Sequence, residues 1–174
     1  MYAVDNAHEK ERGKMVIIDA DVHISPPTQS GNTIQTEAVL SLMERSRVDK
    51  VLAWLQPPYL REIDHANEYV FRSSQKYPER IIGFGWVDPN LGLQKARDMV
   101  RKCIYEYGFP GIKLNGAQNS FYIDEPDISI PLIEDIAEAG AALALHVGAD
   151  AYEHTHPFRV GKIAELFPEM QILM

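Results

Sequence analysis

The chain of 174 residues has a single cysteine, Cys103. One thiol rules out an internal disulfide framework and fits a reducing compartment, so a cytoplasmic location is expected. Positive charge is also scarce, with 17 Lys and Arg against 25 Asp and Glu and a net charge of -8. That balance argues against nonspecific nucleic-acid binding. No apolar run is long enough to cross a bilayer. Residues 1–14 are polar, lack the apolar stretch of a signal peptide, and are read as a flexible leader. No glycine-rich phosphate loop follows the first apolar run, where the residues are Ser25-Pro26-Pro27. What remains is a globular protein with a small-molecule substrate and no nucleic-acid or membrane partner. A homo-oligomer is left open.

The residues that are present have an ordinary globular composition, 45% hydrophobic and 24% charged. The length fits one domain, taken as residues 15–174. Its most informative stretch is Met15 to Ser25. The run Met15-Val16-Ile17-Ile18 leads into Asp19, Asp21 and His23 and is stopped by prolines, which predicts a buried strand. Alternation along a strand puts Asp19, Asp21 and His23 on one face and Val16, Ile18, Ala20 and Val22 on the other. Two carboxylates and an imidazole on one face need partners or a metal. Asp21-x-His23 is therefore read as half of a metal site, against the plainer reading of a turn cap and a backbone-bonded histidine.

Further strands are expected at Lys50–Gln56, Arg80–Val87, Phe109–Asn115, Ala141–Val147 and Met170–Met174. Helices are expected between them: Thr33 to about Arg47, Arg61–Tyr77, Gly92–Tyr107, Pro131–Ala139 and one opened by Pro157. Strict strand–helix alternation implies right-handed crossovers and a parallel sheet. Two α/β architectures fit. One is a partial TIM-type (β/α)8 barrel holding about its first six strands and cut short at the C-terminus. The other is a complete doubly wound open sheet. Strand order separates them, because a barrel arc keeps sequential neighbours and a doubly wound sheet reverses at a switch point.

In such folds the chemistry sits at the C-terminal ends of strands. Those ends carry Asp21 and His23, then Lys113 and Asn115, then His146. Small residues, Ala142, Ala144 and Gly148, share the face of His146, while Leu143, Leu145 and Val147 suit the helix layer. Each residue has a plainer reading: a satisfied core histidine for His146, a solvent-reaching amine for Lys113, a turn cap for Asn115. Three strand ends on one rim favour a site.

These motifs resemble the amidohydrolase-related family of metal-dependent β/α barrels, in the branch that includes aminocarboxymuconate semialdehyde decarboxylase. The resemblance rests on IDADVH (residues 18–23), GIKLNGAQNSFYIDEP (111–126), LALHVG (143–148) and PFRVGKIAELFPEMQILM (157–174). It implies a divalent metal, Zn²⁺ first and Mn²⁺ second, held by Asp21 and His23 of the first strand and His146 of the fifth. The family often has His-x-His where this chain has Asp21-x-His23, and His where it has Asn115. The family's sixth-strand His and eighth-strand Asp are expected beyond Met174, so the chain alone is expected to be a poor catalyst.

The expected activity is hydrolysis by metal-activated water, with nonoxidative decarboxylation as the alternative and a non-catalytic binding domain as the rival class. Asp21 raises the decarboxylase reading, since a carboxylate ligand makes bound water less acidic and admits Mn²⁺. Lys113 and Asn115 are the candidate catalytic residues, Lys113 orienting a substrate carboxylate rather than becoming carbamylated. His154, His156 and Trp86 are expected to contact substrate, and Asp124 and Glu125 to shape the entrance. His154-x-His156 also suggests a second metal, while His156 before Pro157 suggests a helix cap.

Overall fold

The computed structural model describes residues 15–27, 33–56 and 62–174. The expected leader, residues 1–14, lies outside the described residues. The strands are β1 (Ile18–Ile24), β2 (Lys50–Leu55), β3 (Ile81–Gly83), β4 (Gly85–Trp86), β5 (Gly111–Leu114), β6 (Ala142–Leu145) and β7 (Ile172–Leu173). The helices are α1 (Thr36–Ser46), α2 (Ile63–Lys76), α3 (Leu93–Arg101), α4 (Gly116–Asn119), α5 (Ile130–Glu138), α6 (Tyr152–Thr155) and α7 (Pro157–Leu166). Among the described residues, no helix is long and apolar enough to cross a membrane.

All strand pairs are parallel and every neighbour is sequential, β1-β2-β3 in one sheet and β4-β5-β6-β7 in the other. The break lies at Phe84, within the expected third strand. Its N–H donates to the Ala53 carbonyl at 2.8 Å, so the chain there still follows β2. Among the described residues there is no switch point. The order is that of a β/α-barrel arc and not of a doubly wound sheet. The arc is open: among the described residues β1 pairs only with β2, and β7 only with β6.

The sheets are buried from β2 to β6. Leu55, Trp86, Ile112, Leu114 and Leu143 have essentially no exposure. β5 is central, and its entry needs a glycine: a Cβ on Gly111 would lie 2.2 Å from the Phe84 ring and 2.6 Å from the Ala142 carbonyl oxygen. α2 lies along β2 to β4, and α5 packs on β6 and on α3. Gly108 (φ 68°) and Gly140 (φ 66°) take the left-handed conformation just past their helices, as the sequence leads one to expect.

Several elements differ from the sequence reading. β1 is an edge strand, and the apolar run Met15 to Ile18 is exposed rather than buried, Met15 at 81%. β1 is also bulged. Asp19 pairs with Val51 and His23 with Trp54, so four steps on β1 match three on β2. Val51 and Trp54 point to opposite faces, so Asp19 and His23 do too, and the expected three-residue face is broken. Asp19 instead accepts the Asp21 N–H at 3.2 Å.

Thr33 does not open α1. That helix begins at Thr36, whose N–H donates to the Tyr69 hydroxyl at 3.1 Å, a tertiary partner in place of a local cap. The expected helix Gly92–Tyr107 is made of α3 and a π turn (Lys102–Glu106), and a 3₁₀ turn (Pro89–Leu91) precedes it. α4 and α6 were not expected, because four-residue helices carry no readable period.

Candidate metal centre

β1 delivers His23 to the end of the arc in one defined state. Its Nδ1 lies 2.8 Å from the Leu55 carbonyl oxygen. A carbonyl can only accept, so Nδ1 carries the proton and Nε2 keeps its lone pair. The Trp54 indole N–H donates to that Nε2 at 3.3 Å. Asp21 Oδ1 stands 3.7 Å from the same atom. Two ligands of one Zn²⁺-like ion lie roughly 3.0–3.5 Å apart. A backbone-fixed imidazole with a carboxylate beside its bare nitrogen suits a divalent cation, since such ligands are generally oriented by a hydrogen bond on the other ring nitrogen.

β5 delivers Lys113 from between Trp86 of β4 and Ala144 of β6. Its ammonium sits 4.0 Å from the centroid of the Trp54 ring. The side chain is buried, the one buried cation among the described residues. Burial pulls its pKa below the ordinary lysine value, and the negative charge of Asp21 opposes that shift. Lys113, Asp21, His23 and Trp54 therefore form one group. Among the described residues, no carboxylate lies within ion-pair reach of Lys113.

His146 lies just past β6, its N–H donating to the Leu114 carbonyl at 3.3 Å. Its Nε2 is 2.8 Å from Asp150 Oδ1, and this hydrogen bond holds the Asp150 carboxyl below the usual range. Gly148 permits the turn, since a Cβ there would lie 2.8 Å from Asp150 Oδ1 and 2.9 Å from His146 Nε2. The structure thus brings Asp21 and His23 together and sets His146 with Asp150. Among the described residues, no group of three or more His, Cys, Asp or Glu side chains is close enough to hold a metal ion.

The other expected site residues take these places. Asn115 is buried and its Oδ1 accepts the Gln118 N–H at 3.0 Å, capping α4. Trp86 has no exposure. Its indole N–H donates to Asn119 Oδ1 at 3.0 Å, its main chain is bonded both ways by Asn67, and its ring backs His23 at 6.3 Å. His154 meets the Tyr122 ring edge-on at 4.8 Å, and its buried Nδ1 has no hydrogen-bond partner among the described residues. His156 caps α7 by accepting the Phe158 N–H and meets the Tyr152 ring edge-on and the Phe158 ring at a tilt, so His154 and His156 have separate partners.

The side chain of Asp124 is largely buried and paired with Arg159 and Lys162, anchoring the segment after β5 to α7. Two surface clefts, one lined by Ile17, Lys50 and Arg80 and one by Gly140, Ala141 and Met170, lie at the N-terminal ends of strands and hold none of these groups.

Sequence reasoning missed Trp54 and Asp150. Trp54 sits inside an apolar strand, yet its place next to the strand's end is the same signal that marked Lys113. Asp150 stands four residues after His146 on a loop, a spacing without meaning until the turn at Gly148 is known.

A β/α arc with a carboxylate, an imidazole and a buried ammonium at the C-terminal strand ends has the form of a metal-dependent barrel enzyme. The chain belongs to the amidohydrolase family, whose model, described as Amidohydrolase, matches residues 18–174. It is 29% identical over 118 residues to 2-amino-3-carboxymuconate-6-semialdehyde decarboxylase of Dictyostelium discoideum, an alignment covering 64% of this chain and 32% of that protein. It also resembles 2,6-dihydroxybenzoate decarboxylase solved with 2,6-dihydroxybenzoate, with a TM-score of 0.70 and 16% identity over 90% of this chain and 65% of that one. A dihydroxybenzoic acid decarboxylase from Polaromonas sp. JS666, solved with manganese and 2-nitroresorcinol, superposes with a TM-score of 0.67 and 18% identity, covering 90% and 64%. At these identities the two structures show the fold alone. The chain spans about a third of the curated relative and under two thirds of either solved chain. The family resemblance and the barrel expectation are borne out.

Proposed function

We propose that this chain belongs to a metal-dependent enzyme that decarboxylates a small carboxylic acid without oxidation. Hydrolysis, the first expectation from the sequence, is the less supported reading, because the relatives described above are decarboxylases. The observation that carries the proposal is Lys113: a buried ammonium resting on an indole, beside a metal-type pair, with no carboxylate among the described residues within ion-pair distance. A buried cation without an anionic partner is costly, and a substrate carboxylate would supply that partner.

Asp21, His23 and His146 would hold the divalent ion, Zn²⁺ or Mn²⁺, with His146 leaving Asp150 to do so. When bound, the ion supplies positive charge to substrate oxygens. Lys113 orients the carboxylate through charge-assisted hydrogen bonds. The buried faces of Trp54 and Trp86 keep water from the bond that breaks.

The test uses the full-length protein loaded with Zn²⁺ or Mn²⁺ and a panel of hydroxybenzoates and unsaturated dicarboxylic acids in ¹⁸O-labelled water. The expected result is CO₂ release with no label in the organic product. Labelled product without CO₂ would establish hydrolysis instead.

A further inference from the structure

Trp54 is where the two charged walls of the site meet. It is 2% exposed and registered opposite His23. Its N–H donates to His23 Nε2 at 3.3 Å, the face of its ring carries the Lys113 ammonium at 4.0 Å, and Phe84 packs against it at 6.2 Å between centroids.

We propose that Trp54 is a positioning residue that couples the His23 ligand atom to the Lys113 ammonium. The inference rests on the metal-centre reading above. His23 Nδ1 is committed to the Leu55 carbonyl, so Nε2 is the one ring nitrogen able to coordinate a cation. A single lone pair cannot serve both an indole N–H and a metal ion. Cation binding therefore requires the indole to release His23. Packed between Phe84 and Lys113, the ring tilts rather than leaves, and the cation–π contact beneath Lys113 changes with it. In the metal-free protein Trp54 guards the lone pair and parks the ammonium. In the loaded protein the ammonium is released toward a substrate anion. Metal binding then precedes and strengthens anion binding.

The test is a Zn²⁺ titration of the ¹⁵N-labelled full-length protein, followed by the indole N–H signals and by calorimetry. Zn²⁺ is diamagnetic and leaves both signals visible. This chain has two tryptophans, and Trp86, bonded to Asn119, is the internal control. The expected result is that the Trp54 signal moves and exchanges faster with water while that of Trp86 stays. Trp54→Phe keeps a ring under Lys113 but removes the competing N–H, so Zn²⁺ should bind about three- to tenfold tighter. If Zn²⁺ binds while the Trp54 signal stays put and Trp54→Phe leaves affinity unchanged, the coupling is wrong and the metal centre stands. If neither protein binds Zn²⁺, the metal-centre reading fails and takes the coupling with it. The wild-type titration decides even where the variant folds poorly.

Discussion

β5 and β1 both bring charge to the same end of the arc, and they do it in opposite ways. β5 is central, regular in register and buried at all four positions. β1 is an edge, bulged, and exposed over its first half. Lys113 is therefore fixed by its surroundings before any ligand arrives, and its desolvation cost is part of the folded state. His23 and Asp21 are held by a few specific bonds, to Leu55, Trp54 and the Asp19-braced bulge. A buried central strand and a compliant edge strand suit a site whose ligand side adjusts to a metal while the backbone that carries the ammonium keeps its place.

The largest expected effect tests that contrast in stability. Ile112→Ala, in the centre of β5, should cost about 2–5 kcal/mol. Ile18→Ala, half exposed on β1, should cost about 0.5 kcal/mol or less. Urea melts of the two variants check this, and equal losses would mean that β1 is as tightly built as β5.

Lys113→Met comes next and should separate function from fold. Loss of a charge-assisted contact to substrate predicts a fall in kcat/KM of about ten- to hundredfold. Stability should hold or rise near neutral pH, because the variant removes an ammonium whose burial is unfavourable. The sign follows from the lowered pKa: the unfolded chain holds that proton to higher pH, so wild-type stability gains as pH climbs between the folded and unfolded values. A collapse in melting temperature with unchanged activity per folded molecule would make Lys113 structural.

How much of this was readable beforehand varies from residue to residue. The strand order was, because alternation of apolar runs and amphipathic helices leaves few parallel topologies. The strand-end places of Lys113 and His146 were, because strand ends are marked by the loops that follow them. The opposition of Asp19 to His23 was not. Strict alternation assumes an unbroken ladder, and a bulge leaves no mark in IDADVH. The hydrogen bonds that hold Trp86, to Asn67 and Asn119, were not readable, because a tryptophan at a strand end gives no sign in sequence of its partners. The capping role of Asn115 was open to reading as its plainer alternative, although the helix it caps, α4, was not. The exposure of Met15 to Ile18 was hidden because hydrophobicity reports what a strand can bury, not how many neighbours it has.

A smaller effect is expected at Asp124, which ties the segment after β5 to α7. Burial raises its carboxyl pKa, but hydrogen bonds from Lys162 and Arg159 outweigh this and leave it below the usual range. Asp124→Asn should cost about 1–2 kcal/mol near neutrality. A lowered folded pKa gives stability that is present above the unfolded value, about 3.9, and is lost as pH falls through the folded value. Wild type and variant should therefore converge in acid, as melts from pH 7 to pH 2.5 would record. A gap that persists at the acid end would mean that packing, not charge, holds this residue.

The smallest effect is expected at Asp150, and it decides whether His146 is as firmly held as His23. Both imidazoles are hydrogen-bonded, but His23 is tied to main chain and a buried indole, whereas His146 is tied to a carboxylate 53% exposed on a loop. The hydrogen bond from His146 lowers the Asp150 pKa, so its stabilisation is present above about 3.9 and fades as pH drops through the folded value. Exposure and salt screen such a pair, so Asp150→Asn should cost no more than about 0.5 kcal/mol, or a shift of about 1–2 °C in Tm at neutral pH. That shift should shrink in high salt and vanish in acid. The ring of His146 should meanwhile gain mobility, read from the line width of its Cε1–H signal, while the ring of His23 keeps its width. Such a result would mark His146 as the ligand that swings in on metal loading. A cost above about 1 kcal/mol, insensitive to salt, with an unchanged His146 signal, would place both imidazoles in equally fixed settings.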